Sequence, residues 1–249
     1  MKIYPAIDLK EGKCVRLYKG DMNQATIFND NPLNQAQYFA NNGFDFLHIV
    51  DLDGAISGSP VNSKAIKNII NNSNVKIQLG GGIRSIKSIE SWLNCGVSKV
   101  IIGTAALKNP DLVKEAAKNF PNQIIVGIDA KDDFVAVSGW VEESKIKVTE
   151  LAKRFEDAGV DSIIYTDINK DGTLSGVNLE NTINLAKNIS IPVIASGGIS
   201  NIEDVKKVIS SEDFGIKGVI VGRAIYDNRI DIEELSKLSL KKSNIGKFF

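Results

Sequence analysis

The sequence predicts an α/β fold, a single (β/α)8 TIM barrel with a two-fold half-barrel repeat. Three observations carry that reading. Eight short apolar runs recur along 249 residues, a length ordinary for one such barrel. Each run is followed by a segment with helical periodicity. Motifs of the first half return in the second at a nearly constant offset. Asp8 returns as Asp129, 121 residues on; Gly81-Gly82-Ile83 returns as Gly197-Gly198-Ile199, 116 on; and Val100-Ile101-Ile102-Gly103 returns as Val219-Ile220-Val221-Gly222, 119 on.

The runs are 3–7, 46–50, 76–79, 99–102, 124–128, 162–166, 192–195 and 218–221. They are nearly continuous in Val, Ile and Leu, as strands buried on both faces should be. The segments between them carry helix signals. Asn109-Pro110 reads as an N-cap with proline in the first turn, and Val113, Ala116, Ala117 and Phe120 share the inner face. Val148, Leu151, Ala152 and Phe155 repeat at helical spacing, with Gly159 just past the end. Ser200 and Glu203 have capping-box spacing ahead of Val205, Val208 and Ile209. Alternating strands and helices require parallel strands with right-handed crossovers. An open doubly wound sheet is the competitor, but the G-x-G-x-x-G turn after its first strand is missing and it gives no reason for a half-length repeat. The reading is therefore one domain over 1–249, with half-barrels of about 1–120 and 121–240 and a short tail. In that tail Lys241, Lys242 and Lys247 read as a solvated end.

Composition excludes several function classes. Thirty basic and thirty acidic residues cancel, so no electrostatic footprint for nucleic acid or an anionic membrane is present. No apolar run reaches the ~18 residues of a membrane helix. Met1-Lys2 leads straight into the first run, which leaves no room for a signal peptide. Cys14 and Cys95 form neither a disulfide framework nor a metal motif. A cytoplasmic protein without metal is expected.

In a barrel the active site lies at the C-terminal ends of the strands. The residues just past each run are Asp8, Asp51, Gly80-Gly81-Gly82, Gly103-Thr104, Asp129, Asp167, Ser196-Gly197-Gly198 and Gly222-Arg223. Asp8 and Asp129 end strands one and five, which stand opposite each other in a closed barrel of eight. Two carboxylates facing across a mouth suit general acid–base catalysis. The glycine-rich ends offer bare N–H groups for anions, with Arg84 and Arg223 beside them. Two such sites half a barrel apart suggest a long substrate with a phosphate at each end. His48, with Phe46 and Val50 on its face, reads either as a satisfied core residue or as a substrate contact. Trp140, in the loop after strand five, reads as a lid anchor or a stacking surface. Asp53-Gly54 and Asp171-Gly172-Thr173, after strands two and six, either seat the acid and base or merely form turns; Asp-Gly is a strong turn signal in both cases.

These residues resemble a known family. Tyr4-Pro5-Ala6-Ile7-Asp8-Leu9, Gly12-Lys13-Cys14-Val15-Arg16-Leu17 and Lys19-Gly20-Asp21 are similar to the phosphoribosylformimino-aminoimidazole carboxamide ribotide isomerases of histidine biosynthesis. The likeness continues through His48-Ile49-Val50-Asp51-Leu52-Asp53-Gly54-Ala55, Gly80-Gly81-Gly82-Ile83-Arg84 and Gly139-Trp140. It extends through Thr166-Asp167-Ile168, Lys170-Asp171-Gly172-Thr173-Leu174, Ser196-Gly197-Gly198-Ile199 and Gly222-Arg223-Ala224. The resemblance implies a monomeric barrel and an Amadori rearrangement, aldose to ketose, on a bis-phosphate. It implies Asp8 as base and Asp129 as acid, with Asp171 and Thr166 assisting. It implies substrate contacts from Arg16, His48, Gly81, Gly82, Arg84, Gly103, Thr104, Trp140, Gly172, Thr173, Ser196, Gly197, Gly198, Gly222 and Arg223. No cofactor is required, because the rearrangement has no net redox change. In this scheme Asp129 must hold a proton near neutral pH, roughly three units above a free aspartate.

Some positions depart from the family pattern. Lys131-Asp132-Asp133-Phe134 lacks the glycine usual after the first aspartate. Asn228 replaces a common glycine and tolerates the same left-handed backbone. Ser138 stands where relatives that also serve tryptophan synthesis carry arginine, which argues against a dual role. Two rivals remain. The sister cyclase barrel, imidazole glycerol phosphate synthase, shares the fold and the opposed aspartates, but it needs a glutaminase, and the motifs at Tyr4–Asp8 and His48–Ala55 look like the isomerase. A non-catalytic bis-phosphate-binding barrel would have no need of both aspartates.

Overall fold

The computed structural model describes residues 1–137 and 142–240. Ser138, Trp140 and the tail lysines fall outside them. In chain order the elements are β1 (Lys2–Lys10), β2 (Lys13–Tyr18), β3 (Asp21–Asn29), α1 (Pro32–Asn41), β4 (Phe46–Asp51), α2 (Leu52–Ser57) and α3 (Ser63–Asn72). They continue with β5 (Lys76–Gly80), α4 (Ile86–Asn94), β6 (Lys99–Ile102), α5 (Thr104–Lys108), α6 (Pro110–Asn119), β7 (Ile124–Lys131), β8 (Phe134–Val137) and β9 (Glu142–Lys147). The rest are α7 (Val148–Lys153), β10 (Ser162–Asp167), α8 (Leu179–Asn188), β11 (Val193–Ser196), α9 (Ile202–Ser210), β12 (Ile216–Val221), α10 (Arg223–Tyr226) and α11 (Ile232–Leu240).

The eight predicted runs are the barrel staves. β1, β4, β5, β6, β7, β10, β11 and β12 pair in that order, all parallel, and β12 returns to β1. β1 and β7 stand four strands apart either way round, so Asp8 and Asp129 do rise from opposite staves.

The period-2 alternation of strands separates two apolar layers. Outward residues such as Ile3, Ile7, Leu47, Ile49, Val126 and Val219 pack beneath the helices. Inward residues Tyr4, Ala6, Ile101, Ile125, Ile164, Ile194 and Ile220 form a separate cluster that plugs the barrel. This plug makes the mouth a shallow cup rather than a pore.

Two expectations need correction. The segments after strands one and five are not purely helical; each begins with antiparallel strands, β2–β3 and β8–β9. Glu11-Gly12 (φ 52° and 76°) and Asp132-Asp133 (φ 49° and 72°) are the tight two-residue turns that start these excursions. Tertiary pairing beside the mouth overrides the weak local signals there. The cap of α9 is Asn201, not Ser200. Asn201 accepts from the Asp204 N–H while Asp204 accepts from the Ser200 N–H, so the reciprocal box sits one residue later than read. The cap at Asn109 stands as expected, with its side chain accepting from the Leu112 N–H.

Candidate active site

Two residues beyond the apolar plug, the inward positions turn polar. On β1 the step runs Ala6 to Asp8, on β4 Phe46 to His48, on β10 Ile164 to Thr166 and on β11 Ile194 to Ser196. Asp129 lies level with Thr166, and Thr166 with Ser196, by strand register. The strand ends therefore assemble Asp8, His48, Asp129, Thr166 and Ser196 around one cup.

Asp8 is held by Arg16. The Arg16 Nη1 donates to Asp8 Oδ2 at 2.7 Å, and its Nη2 donates to the Ala6 carbonyl. Arg16 is 8% exposed, and its guanidinium lies 4.8 Å from the Tyr226 ring centroid. The Tyr226 hydroxyl donates to the same Ala6 carbonyl at 2.9 Å. Arg16 Nε is buried with no hydrogen-bond partner. Arg16 and Arg223, with Tyr18, Gln24, Ala25 and Thr26, line a cavity of about 350 Å³.

Asp171 reaches the cup from the loop after β10. A β-carbon at Gly172 (φ 67°) would run into the Leu17 carbonyl, so glycine lets this loop lie on β2. Arg223 Nη1 donates to the Gly172 carbonyl at 2.8 Å and its Nε to Asp227 at 3.0 Å. Burial, then the charge of Asp8, push the Asp171 carboxyl up to about 7; Arg16 opposes this, and Asp129 adds to it. Asp8, Arg16, Asp129 and Asp171 thus share one electrostatic neighbourhood.

His48 is half-buried, with Nδ1 3.1 Å from the Gln78 amide nitrogen. Burial, then the Arg16 charge, push its imidazole down to about 3. It is a neutral group at an inward position of β4, already partnered by Gln78.

The glycine turns flank the cup. Gly81-Gly82 and Gly197-Gly198 all have positive φ, and a β-carbon on Gly82 or Gly198 would collide with the Gly54 or Gly176 carbonyl. Gly103 (φ −93°, ψ −110°) and Gly222 (φ −109°, ψ −107°) lead into α5 and α10 with nearly the same backbone. Thr104 is the first residue of α5. Thr173 Oγ1 donates to the Lys170 carbonyl at 2.7 Å. Arg84 turns to α2, donating to the Ala55 carbonyl at 3.0 Å. It borders a second cavity, of about 500 Å³, that runs outward between α3 and α4 to Trp92 and Cys95. Trp140 lies outside the described residues.

Two strand-end aspartates from the ring are clamps rather than reactive groups. Buried Asp51 accepts from the N–H groups of Gly54, Val61 and Asn62 and from the Asn62 amide. Buried Asp167 accepts from the Asn169 N–H and the Asn178 amide. Sequence reasoning missed Asn62, Asn178 and Tyr226. The spacing offered a signal for the first two, since each asparagine follows its aspartate by 11 residues. For Tyr226 no pattern distinguishes it from an ordinary helix-face aromatic.

Comparisons with known proteins give the family of the chain. A family model described as "Histidine biosynthesis protein" matches residues 2–231. A protein of Azospirillum brasilense is 56% identical over 231 residues, covering 93% of this chain and 91% of its own. One of Bradyrhizobium diazoefficiens is 56% identical over 229 residues, covering 92% of each. One of Parvibaculum lavamentivorans is 56% identical over 238 residues, covering 96% and 98%. All three are named 1-(5-phosphoribosyl)-5-((5-phosphoribosylamino)methylideneamino)imidazole-4-carboxamide isomerase.

Proposed function

Because the chain belongs to the histidine biosynthesis protein family, we propose that it is an aldose–ketose isomerase of that pathway, acting on the ribotide with two phosphoribosyl groups in its relatives' name. The observation that carries the chemistry is the convergence of Asp8, Asp129 and Asp171 at the C-terminal mouth.

The proposed reaction is an Amadori rearrangement. A protonated carboxyl opens the ribose ring to a Schiff base, and a carboxylate removes the proton from the neighbouring carbon. The resulting enolamine becomes the aminoketose. Asp8 is the base. Sequence reasoning gives the acid's proton to Asp129; the burial of Asp171 beside Asp8 favours giving it to Asp171, with Asp129 across the cup. Thr166 and His48 contact the reacting sugar. The matching turns at Gly103 and Gly222, with the paired glycines beside them, support a phosphate at each end of the substrate. They also support the half-barrel repeat, as do the two Asp–Asn clamps.

The rearrangement is redox-neutral, so we assign no cofactor. Among the described residues no helix is long and apolar enough to cross a membrane. A cytoplasmic monomer acting on a small bis-phosphate is the reading proposed, with no nucleic-acid or membrane partner.

The test is incubation of the purified protein with the aminoaldose ribotide, following the aminoketose. Conversion is expected without ammonia or a glutaminase. Asp8→Asn should lose about 10²–10⁴ of turnover by removing the base, while substrate binding stays within a few-fold. Near-normal turnover in that variant would sink the assignment.

A further inference from the structure

We propose that Arg16 is the positioning residue that fixes the Asp8 carboxylate and thereby decides which of the facing carboxyls, Asp8 or Asp171, keeps the proton. The inference rests on the reading of Asp8 as the base.

Acid–base catalysis by two carboxyls in one small cup carries an ambiguity. Like charges so close share a proton, and nothing in a pair of aspartates says which one holds it. A buried guanidinium bonded to one of them breaks the tie, because a charge-assisted hydrogen bond favours the ionised partner. Arg16 makes that bond to Asp8 through Nη1. Asp8 Oδ1 takes no hydrogen bond from the described residues, so the pair leaves one carboxylate oxygen for the substrate.

The guanidinium has little freedom to swing to Asp171. Its Nη2 is bonded to the Ala6 carbonyl, its face lies against Tyr226, and Gly222 closes the remaining side. A β-carbon at Gly222 would sit 3.2 Å from the Arg16 Cζ, so the absence of a side chain there makes room for the cation.

The other groups around this carboxylate do not compete for the role. His48 on β4 is held neutral by burial, and burial pushes the Cys14 thiol on β2 up to about 12. Burial likewise raises the Tyr226 phenol on α10. Arg223 on α10 is engaged by Asp227 and the Gly172 carbonyl. Asp129 on β7 and Asp171 on its loop are carboxyls themselves. Among the described residues, Arg16 is the cation paired with Asp8.

Two measurements test this. The first needs no change at Arg16: carboxyl ¹³C titration of aspartate-labelled protein, with signals assigned through Asp8→Asn and Asp171→Asn. The Asp8 signal should titrate at lower pH than the Asp171 signal. The reverse order overturns the proposal. The second is the pH profile of Arg16→Met and Arg16→Lys. In Arg16→Met the acid limb of kcat/KM should move up by at least about one pH unit, a tenfold or greater loss on that limb. Arg16→Lys should restore most of it. An unmoved limb with a loss confined to KM would make Arg16 a ligand anchor and overturn the proposal. Should Arg16→Met not fold, the titration order in the wild-type protein decides. Asp8→Asn run in parallel separates the two ideas. If it keeps turnover, the base assignment fails. If it is inactive while the Arg16→Met limb is unmoved, only the Arg16 inference fails.

Discussion

At the scale of single residues, the chemistry turns on where one proton rests. Asp171 is pushed up to about 7 by burial and by Asp8, so it is protonated below that pH and charged above it. A general acid works only while protonated. Wild-type kcat/KM should therefore fall as pH rises through about 7. Asp171→Asn should remove that alkaline limb and cost about 10²–10⁴ in turnover. A variant that keeps the limb would place the acid elsewhere, with Asp129 the next candidate. His48, pushed down to about 3, should add no step of its own. Proton NMR of this single histidine should show no titration between about pH 5 and 8, the window in which an ordinary imidazole changes charge.

At the scale of elements, the excursions after β1 and β7 show how much a tight turn depends on two φ angles. Both start with two left-handed residues. Gly12 takes its φ of 76° without strain, whereas Asp133 takes 72° with a side chain attached. Holding a residue there costs about 1–2 kcal/mol, less for aspartate, and glycine's extra freedom in the unfolded chain offsets about 0.4–1 kcal/mol of what its substitution would gain. The strain outweighs that entropy. Asp133→Gly should raise stability by up to about 1 kcal/mol and the melting temperature by about 2–4 °C. Calorimetry with an unchanged or lower midpoint would show that the aspartate carries no such strain. The Asn201 cap is the helical counterpart, a single side chain that satisfies an N–H the helix cannot.

At the scale of the whole molecule, the closed barrel stabilises a cup that is itself a liability. The Ile-rich plug and the outer layer are apolar on both sides of the sheet, so the strand ends are where unlike groups must gather. Asp171 shows the consequence for stability. Its folded carboxyl titrates near 7 against an ordinary 3.8, so the native state binds the extra proton between those values. That contribution is complete below about 3.8 and is lost as pH rises through about 7. Asp171→Asn, which mimics the neutral form, should melt higher than wild type at pH 8. The gap should shrink toward pH 4. Thermal unfolding with a gap that stays constant with pH would show that folding does not raise the Asp171 carboxyl. A gain in stability with a loss of activity is the exchange expected of a functional carboxyl.

The barrel was legible in the chain because its signals are local. Runs buried on both faces read as unbroken Val and Ile, and a helix facing them shows one apolar stripe. The strand ends could then be placed by the fold rule alone, which found Asp8, Asp129 and the glycine turns. The relatives at 56% identity support the isomerase reading of those motifs. The roles of individual carboxyls were not legible. Asp51 and Asp167 occupy the same kind of position as Asp8 and Asp129, yet the loops wrap the first two as clamps. The segment at Asp171 reads in the sequence either as a turn or as a seat for the acid or base, and only the fold shows Gly172 letting that loop lie on β2. Arg16 carried no local mark of its bond to Asp8. A residue's protonation depends on desolvation and on charges a few ångströms away. Such neighbours come from β1, β2, β7 and the loop after β10, segments that meet only when the barrel closes.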